Sequence, residues 1–330
     1  MKTSDIAELT LSFQKSRIFL TAYELGIFTA VGNNSKTSEK IAAAINASPR
    51  YIDRLMNALC AIGLLKKTGN MFSNTQFSSR HLVKNNPGFM KGIAHSVNMW
   101  DTWSALTDTI RRGGPASKKF INDRGEEWLR PFIAAMHERA SQSASAIVRL
   151  LELSGVSKVL DVGGGSGAYA MAFAKARKGI TATIFDCPNV IPIAKDYVKE
   201  EGLLDKVEFI AGDYNKDDFG KGYDLVFLSA IIHINSPEQN RVLIGSSARA
   251  LRGNGRIVIQ DFIMDEDRTR PQWGAFFALN MLVATESGDT YTESEVRAWL
   301  KEADFTGIVR KDTKFGTALI IGRKRDPNSS

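Results

Sequence analysis

From Ser157 onward the chain alternates between short, nearly continuous apolar runs and longer stretches with helical spacing. "KVLDV", "ITATIFD", "KVEFIAG", "YDLVFLSAII" and "GRIVIQDFI" read as strands, with "AYAMAFAKARK", "NVIPIAKDYVKEE" and "PEQNRVLIGSSARAL" among them as helices. Apolar strands separated by helices predict a doubly wound, mostly parallel α/β sheet covered on both faces. The last segment, "TGIVRKDTKFGTALIIGRK", reads as two strands in a hairpin. The sheet is therefore expected to finish antiparallel.

The first part of the chain has a different rhythm. Residues 3–31 carry apolar side chains at three- and four-residue steps (Ile6, Leu9, Phe13, then Leu20, Tyr23, Ile27), which predicts helix with a break at Ser16. Thr37 or Ser38 caps a short helix, "NASP" turns, and Ser48-Pro49 opens a second helix over Arg50 to Leu64. "LLKKTGNMFSNTQFS" follows as a hairpin turning at Gly69-Asn70. Helix, turn, helix and hairpin predict an α-helical, winged-helix domain. Such a domain can read DNA through its second helix. Here that helix has only Arg50 and Arg54 as basic residues and is otherwise apolar on several faces, which suits burial against a second subunit better than a major groove. A homodimer is expected, with no nucleic-acid partner. Met99, Trp100, Trp103 and Leu106 mark a further amphipathic helix after "NNPGFMKG" and before the turn-rich "RRGGPASKK". From Glu126 a long helix leads into the α/β part. The boundary is placed near 115, giving a dimerisation domain over 1–115 and an α/β domain over 116–330.

Composition narrows the class. The 330 residues are 43% hydrophobic and 24% charged, a soluble globular balance long enough for two cores. The longest apolar stretch, around Asp224–Ile234, is interrupted by Ser229 and His233 and too short to span a bilayer, so no membrane association is expected. The N-terminus lacks a basic start followed by an apolar core, and Cys60 and Cys187 make no disulfide framework; both suit a cytoplasmic protein. Four scattered histidines (81, 95, 137, 233) show no metal-ligand spacing, and no metal is expected. The net charge of +7 arises in residues 1–150, with 20 Lys and Arg against 11 Asp and Glu. A solvated basic surface is its simplest explanation.

Ligands of open α/β sheets bind at the carboxyl ends of the strands. The first strand ends in "LDVGGGSGAYAMAF". Gly163-x-Gly165-x-Gly167 is the usual spelling in S-adenosylmethionine sites, while Gly163-x-Gly165-x-x-Ala168 also satisfies the dinucleotide fingerprint. The loop alone leaves both open. Asp186 ends the second strand, where either ligand would offer ribose hydroxyls to a carboxylate. It reads as an exposed acid whose loss should weaken cofactor binding far more than folding. The third strand ends at Asp213 and Tyr214, an acid for an adenine amino group and a ring for stacking. Two acids and no strand-end lysine or arginine favour a sulfonium ligand over a pyrophosphate. Ser229 lies at the end of the fourth strand and His233 just beyond; imidazole is suited to taking a proton near neutrality. Asp261, ending the fifth strand, can orient it. Phe132 and Met136 on the bridging helix, with Trp273, Phe276, Asn280, Met281 and Thr285 at helical spacing, offer walls for a flat ring.

Taken together, the chain resembles the S-adenosylmethionine-dependent O-methyltransferases of the plant caffeate and hydroxyindole type, a family with bacterial members in natural-product pathways. The resemblance spans the winged-helix region, "LDVGGGSG", "FDCPNVI", "GDYN", "IIHINSPEQ", "GRIVIQDFI" and "NMLVATESGDTYTESEVRAWLKEADF". It implies a Rossmann-like catalytic domain and cofactor contacts from Gly163, Gly165, Asp186, Asp213, Tyr214 and Ser229. It implies His233 as the base for an acceptor hydroxyl, Asp261 as the first carboxylate flanking it, and S-adenosylhomocysteine as the second product. A second flanking acid falls near Thr290, with Asp289 and Glu293 close by. Ser229 stands where plant members often have lysine, and "HINSPEQ" replaces their usual "H-D/N-W-x-D-E". The expected function is methylation of a hydroxyl on a small, aromatic molecule. The alternatives are a nicotinamide-dependent oxidoreductase and a winged-helix regulator that senses S-adenosylmethionine.

Overall fold

The computed structural model describes residues 2–115 and 124–325, which form two compact units, Met1–Trp100 and Asp101–Ser330. The break falls ahead of the one expected near 115. Trp103 belongs with the second unit because its Nε1 donates to Asn280 Oδ1 at 2.9 Å. The expected "RRGGPASKK" turn lies partly outside the described residues.

In the first unit, α1 (Thr3–Glu24) runs through Ser16 without the expected break. It ends instead before Gly26, which takes φ +69°, a left-handed conformation that costs glycine little. Then come α2 (Ile27–Val31), β1 (Lys36–Thr37) and α3 (Ser38–Ala44), whose cap is Thr37: its side chain accepts from the Lys40 amide at 3.4 Å. α4 (Pro49–Ala61) has its proline in the first turn, where the missing N–H costs nothing. It stops short of the expected Leu64. β2 (Leu65–Thr68) and β3 (Met71–Asn74) form the hairpin about Gly69-Asn70, followed by α5 (Gln76–His81) and α6 (Ile93–Ser104). α4 buries Ile52, Met56 and Leu59 against Phe28 and Phe72, and exposes Arg50, Tyr51 and Arg54. It is amphipathic, not apolar on several faces.

The second unit begins with α7 (Leu106–Arg112) and α8 (Glu126–Val148). Strand and helix then alternate: β4 (Lys158–Val162), α9 (Ala168–Ala176), β5 (Thr181–Asp186), α10 (Ile191–Glu200), β6 (Val207–Ala211) and β7 (Tyr223–Ser229). They continue as α11 (Pro237–Ala250), β8 (Leu251–Asp261), β9 (Ile263–Met264), α12 (Gln272–Ala284), β10 (Tyr291–Thr292), α13 (Glu293–Glu302), β11 (Phe305–Asp312) and β12 (Ala318–Lys324). The seven-stranded sheet has the order β11-β12-β8-β7-β4-β5-β6. β4 to β8 pair in parallel and β12 runs antiparallel between β8 and β11, as the closing hairpin predicts.

One face of the sheet packs Ile184 and Phe227 beneath Ile147 of α8 and Phe173 of α9; the other packs Leu160 and Ile259 against Leu243 of α11 and Trp299 of α13. Each such side chain contributes about 1.5–3 kcal/mol on burial. That rigidity holds the strand ends in register. The strand order reverses between β4 and β7, so their carboxyl ends open a crevice, the place where such sheets receive ligands. β7 stops at Ser229 instead of running on to Ile232. Ala230 takes φ +54° and donates its N–H to the Gln260 carbonyl at 2.9 Å, and a single 3-10 turn, Ile232–Ile234, then carries His233.

Candidate active site

The glycine loop leaves β4 with the Gly163 N–H donated to the Phe185 carbonyl at 2.8 Å. Gly163 has φ +67°, and a Cβ there would overlap the Ile231 side chain. The bare backbone at this point is thus required by packing as well as by conformation. Gly165, at φ +57°, donates its N–H to Asp186 Oδ2 at 2.7 Å. Asp186 Oδ1 accepts from the Cys187 amide, also at 2.7 Å. Each carboxylate oxygen keeps a lone pair for a ligand hydroxyl. Asp186 is buried, contrary to the expectation of an exposed acid, because it braces the glycine loop from the neighbouring strand. Burial pushes its carboxyl up to about 6, with the two backbone donors opposing the shift. Asp161, fully enclosed beneath the loop, is pushed up to about 7 by burial; the Ala170 N–H opposes this and the Asp186 charge adds to it.

At the end of β6, Asp213 Oδ1 accepts from the Asn215 amide at 3.0 Å and its Oδ2 lies 3.2 Å from Lys216 Nζ. A cation therefore does stand beside this strand end, which the expectation of none overlooked. Tyr214 donates its hydroxyl to Asn235 Oδ1 at 2.9 Å, and burial pushes the phenol above its ordinary range. Ser229 Oγ donates to Gln260 Oε1 at 3.1 Å, and Gln260 Nε2 reaches Thr317 Oγ1 at 3.3 Å. Ser229 is tied to the strand beside it.

His233 Nδ1 lies 2.9 Å from both Asp261 oxygens, and both residues are buried. A carboxylate only accepts, so Nδ1 carries the proton and Nε2 is left with a free lone pair. Asp261 Oδ1 also accepts from the Phe262 N–H at 2.8 Å, which fixes the carboxylate in turn. The Phe277 ring meets the imidazole edge-on, centroids 4.7 Å apart at 84°. From below, the Asp289 N–H donates to the His233 carbonyl at 3.0 Å. The acids near the expected second flanking position are engaged elsewhere. Asp289 Oδ2 stands 3.6 Å from Arg268, Glu293 pairs with Arg297 and Arg310, and Thr290 is buried with its carbonyl on Arg268. Among the described residues only Asp261 bonds the imidazole.

A buried asparagine network holds this turn. Asn235 Nδ2 donates to Asn240 Oδ1 at 3.2 Å, Asn240 Nδ2 donates to the Ile232 carbonyl at 2.9 Å, and Tyr291 donates its hydroxyl to the Asn235 carbonyl. Pattern alone does not single out these residues, because Asn235 and Asn240 sit among Ser236, Glu238, Gln239 and Arg241, as in an ordinary polar turn. Also missed was His137 on α8. Its Nδ1 is 2.8 Å from Ser166 Oγ in the glycine loop, and its ring stacks on Tyr197 at 4.1 Å.

The expected walls divide. Phe132 stacks on Trp128 at 5.1 Å and Met136, one turn along α8, is half-buried. On α12, Trp273 and Phe276 are exposed and meet edge-to-face at 5.7 Å, while Asn280 is half-buried. Met281 is buried on another side of the helix. Thr285 closes the helix: its Oγ1 donates to the Met281 carbonyl at 2.8 Å and accepts from Gly288 N–H at 2.9 Å. Among the described residues no three His, Cys, Asp or Glu side chains gather to hold a metal, and no helix is long and apolar enough to cross a membrane.

A sheet of this order, with a bare glycine loop, carboxylates at two strand ends and a His–Asp pair beyond a third, defines a class I methyltransferase fold with an ionisable group beside its ligand crevice. The O-methyltransferase domain model matches residues 103–306, and the O-methyltransferase dimerisation domain model matches 7–84. The chain belongs to this family and is an S-adenosylmethionine-dependent O-methyltransferase. Relatives include acetylserotonin O-methyltransferase of Gallus gallus, 30% identical over 97% of this chain and 96% of the relative. The tetracenomycin polyketide synthesis 8-O-methyl transferase TcmO of Streptomyces glaucescens is 28% identical over 97% of this chain and 96% of its own. Among solved structures, PigF with S-adenosylhomocysteine superposes with a TM-score of 0.89 at 22% identity, covering 98% of this chain and 100% of that one. Human N-acetylserotonin methyltransferase with S-adenosylmethionine gives 0.84 at 23%, covering 98% and 99%. These two likenesses speak to the fold. The oxidoreductase and sensor alternatives fall away.

Proposed function

We propose that this enzyme methylates a hydroxyl of a small aromatic molecule, with His233 as general base and Asp261 orienting it. The observation that carries this reading is the His233–Asp261 pair, in which Nδ1 faces the carboxylate and the neutral ring keeps its lone pair on Nε2. The relatives' names, an acetylserotonin and a tetracenomycin methyltransferase, support an aromatic acceptor.

The residues present fit the cofactor: bare backbone at Gly163 and Gly165, Asp186 for ribose hydroxyls, Asp213 and Tyr214 for the adenine, and Ser229 on the strand beside them. Bound there, S-adenosylmethionine supplies a methyl on a positively charged sulfur, which departs as the neutral thioether of S-adenosylhomocysteine. The chain's own task is then alignment and proton removal. Alignment can supply about 7–11 kcal/mol and a positioned base ~10²–10⁴-fold. The hydroxyl proton passes to His233 Nε2, the imidazolium so formed is stabilised by Asp261, and the proton then returns to solvent. Phe132, Met136, Trp273 and Phe276 offer aromatic and thioether surface to the ring, with Asn280 beside them on α12.

The test is His233→Ala. S-adenosylmethionine affinity by calorimetry stays near wild type, because strands β4 to β6 hold the cofactor. Methyl transfer falls ~10²–10⁴-fold, and the defect shrinks for more acidic phenols. A loss equal across phenols of graded pKa would show that His233 is not the base.

A further inference from the structure

The amide of Asn280 has a fixed orientation. Trp103 Nε1 donates to its Oδ1 at 2.9 Å, and an indole N–H can only donate. The amide oxygen thus faces Trp103, and Nδ2, with its two N–H groups, turns away from the indole. No other side-chain hydrogen bond to Asn280 is present among the described residues, and the residue is half-buried, so Nδ2 stays open to a ligand. Asn280 falls between Phe276 and Phe277 around α12, one turn beyond the latter. Residues so spaced sit ~5–6 Å apart, and the Phe277 ring touches His233. A hydrogen-bond donor therefore stands about one helical turn from the ring that meets the base edge-on.

Resting on the hydroxyl-methylating reading above, we infer that Trp103 is a specificity-determining positioning residue: by turning the Asn280 amide it selects phenols whose reacting hydroxyl is flanked by a carbonyl oxygen, ortho or peri to it. The chemistry favours this class. In such a phenol the hydroxyl proton is held by the neighbouring carbonyl, out of reach of a base. Donation from Asn280 Nδ2 to that carbonyl competes with the internal bond and leaves the proton to His233 Nε2. An acceptor offering only a donor would meet another donor here, and one offering nothing would leave the amide unpaired, which penalises it.

The experiment measures methyl transfer from labelled S-adenosylmethionine to two matched pairs: 1-hydroxyanthraquinone against 2-hydroxyanthraquinone, and 1-hydroxy-2-acetonaphthone against 1-naphthol. Wild type should favour the carbonyl-flanked member of each pair by about tenfold or more in kcat/KM. Trp103→Phe keeps the ring but frees the amide to flip, and should cut that preference by ~3–10-fold, the range for one hydrogen bond. Asn280→Asp, isosteric but without donors, should abolish it, with S-adenosylmethionine affinity confirming an intact fold. Equal use of both members by wild type, or a preference that survives both substitutions, overturns the inference while leaving hydroxyl methylation standing. Transfer to none of the four phenols overturns both.

Discussion

His233 shows how little a residue's type says until its partners are known. The imidazole has one ring nitrogen committed to Asp261, and that single bond decides which nitrogen can take a proton. Asp261→Asn keeps the shape but loses the charge that stabilises the imidazolium. Its rate loss should be smaller than that of His233→Ala and should likewise shrink with phenol acidity; rates equal to wild type would detach Asp261 from catalysis. Under the glycine loop the two buried carboxyls act on stability instead. Asp161 titrates at about 7 and Asp186 at about 6 when folded, above the ordinary range near ~4. Between those values the folded chain holds more protons than the unfolded one. The stability they contribute is full at low pH and is lost as pH rises from about 4 to 7. Asp161→Asn, which keeps an acceptor for the Ala170 N–H, should flatten this decline of the ligand-free protein, read as melting temperature against pH. Parallel wild-type and variant curves would place the titration elsewhere.

At the scale of elements, the turn after β7 is the part of the site that pattern reading did least well. The mostly apolar run from Tyr223 to Ile232 reads as one strand, because periodicity cannot see that Ala230 adopts φ +54°. What bends the chain there is tertiary. The Gln260 carbonyl takes the Ala230 N–H, and the asparagine network takes the Ile232 and Asn235 carbonyls. The strands themselves, the antiparallel ending, the glycine loop and the His233–Asp261 pair were legible, since strand ends in this topology converge whatever the loops do. Asp186 was legible as a strand-end acid but not as a buried one, because its burial depends on Gly165 folding back onto it. Gly288 tests the turn directly. A Cβ there would overlap the His233 carbonyl oxygen and the Thr285 hydroxyl. Gly288→Ala should therefore displace His233, lowering kcat at least ~10-fold while cofactor affinity holds, since a small misplacement costs alignment. Unchanged kcat would mean that the turn tolerates movement.

For the whole molecule the open question is assembly. The chain carries an O-methyltransferase dimerisation domain over 7–84, and we propose a homodimer built through residues 1–115. Within the first unit, α1 packs its second half, burying Leu20 and Ala22, but leaves Ile6, Leu9 and Phe13 exposed along one side of its first half. An apolar face of this kind is what an obligate interface would cover. Covering a large apolar side chain is worth about 1.5–3 kcal/mol, and two-fold symmetry places each substitution in the interface twice. Replacing Leu9 and Phe13 by glutamate should thus weaken dimerisation by at least ~10²–10⁴-fold, one residue's worth counted twice. Sedimentation equilibrium is the measurement. Wild type should sediment as a dimer at micromolar concentration and the double variant as a monomer, with helical content retained because both positions are exposed in the single chain. A wild-type monomer would refute the dimer. A double variant that remains fully dimeric would move the interface off α1, to surfaces elsewhere in the first 115 residues.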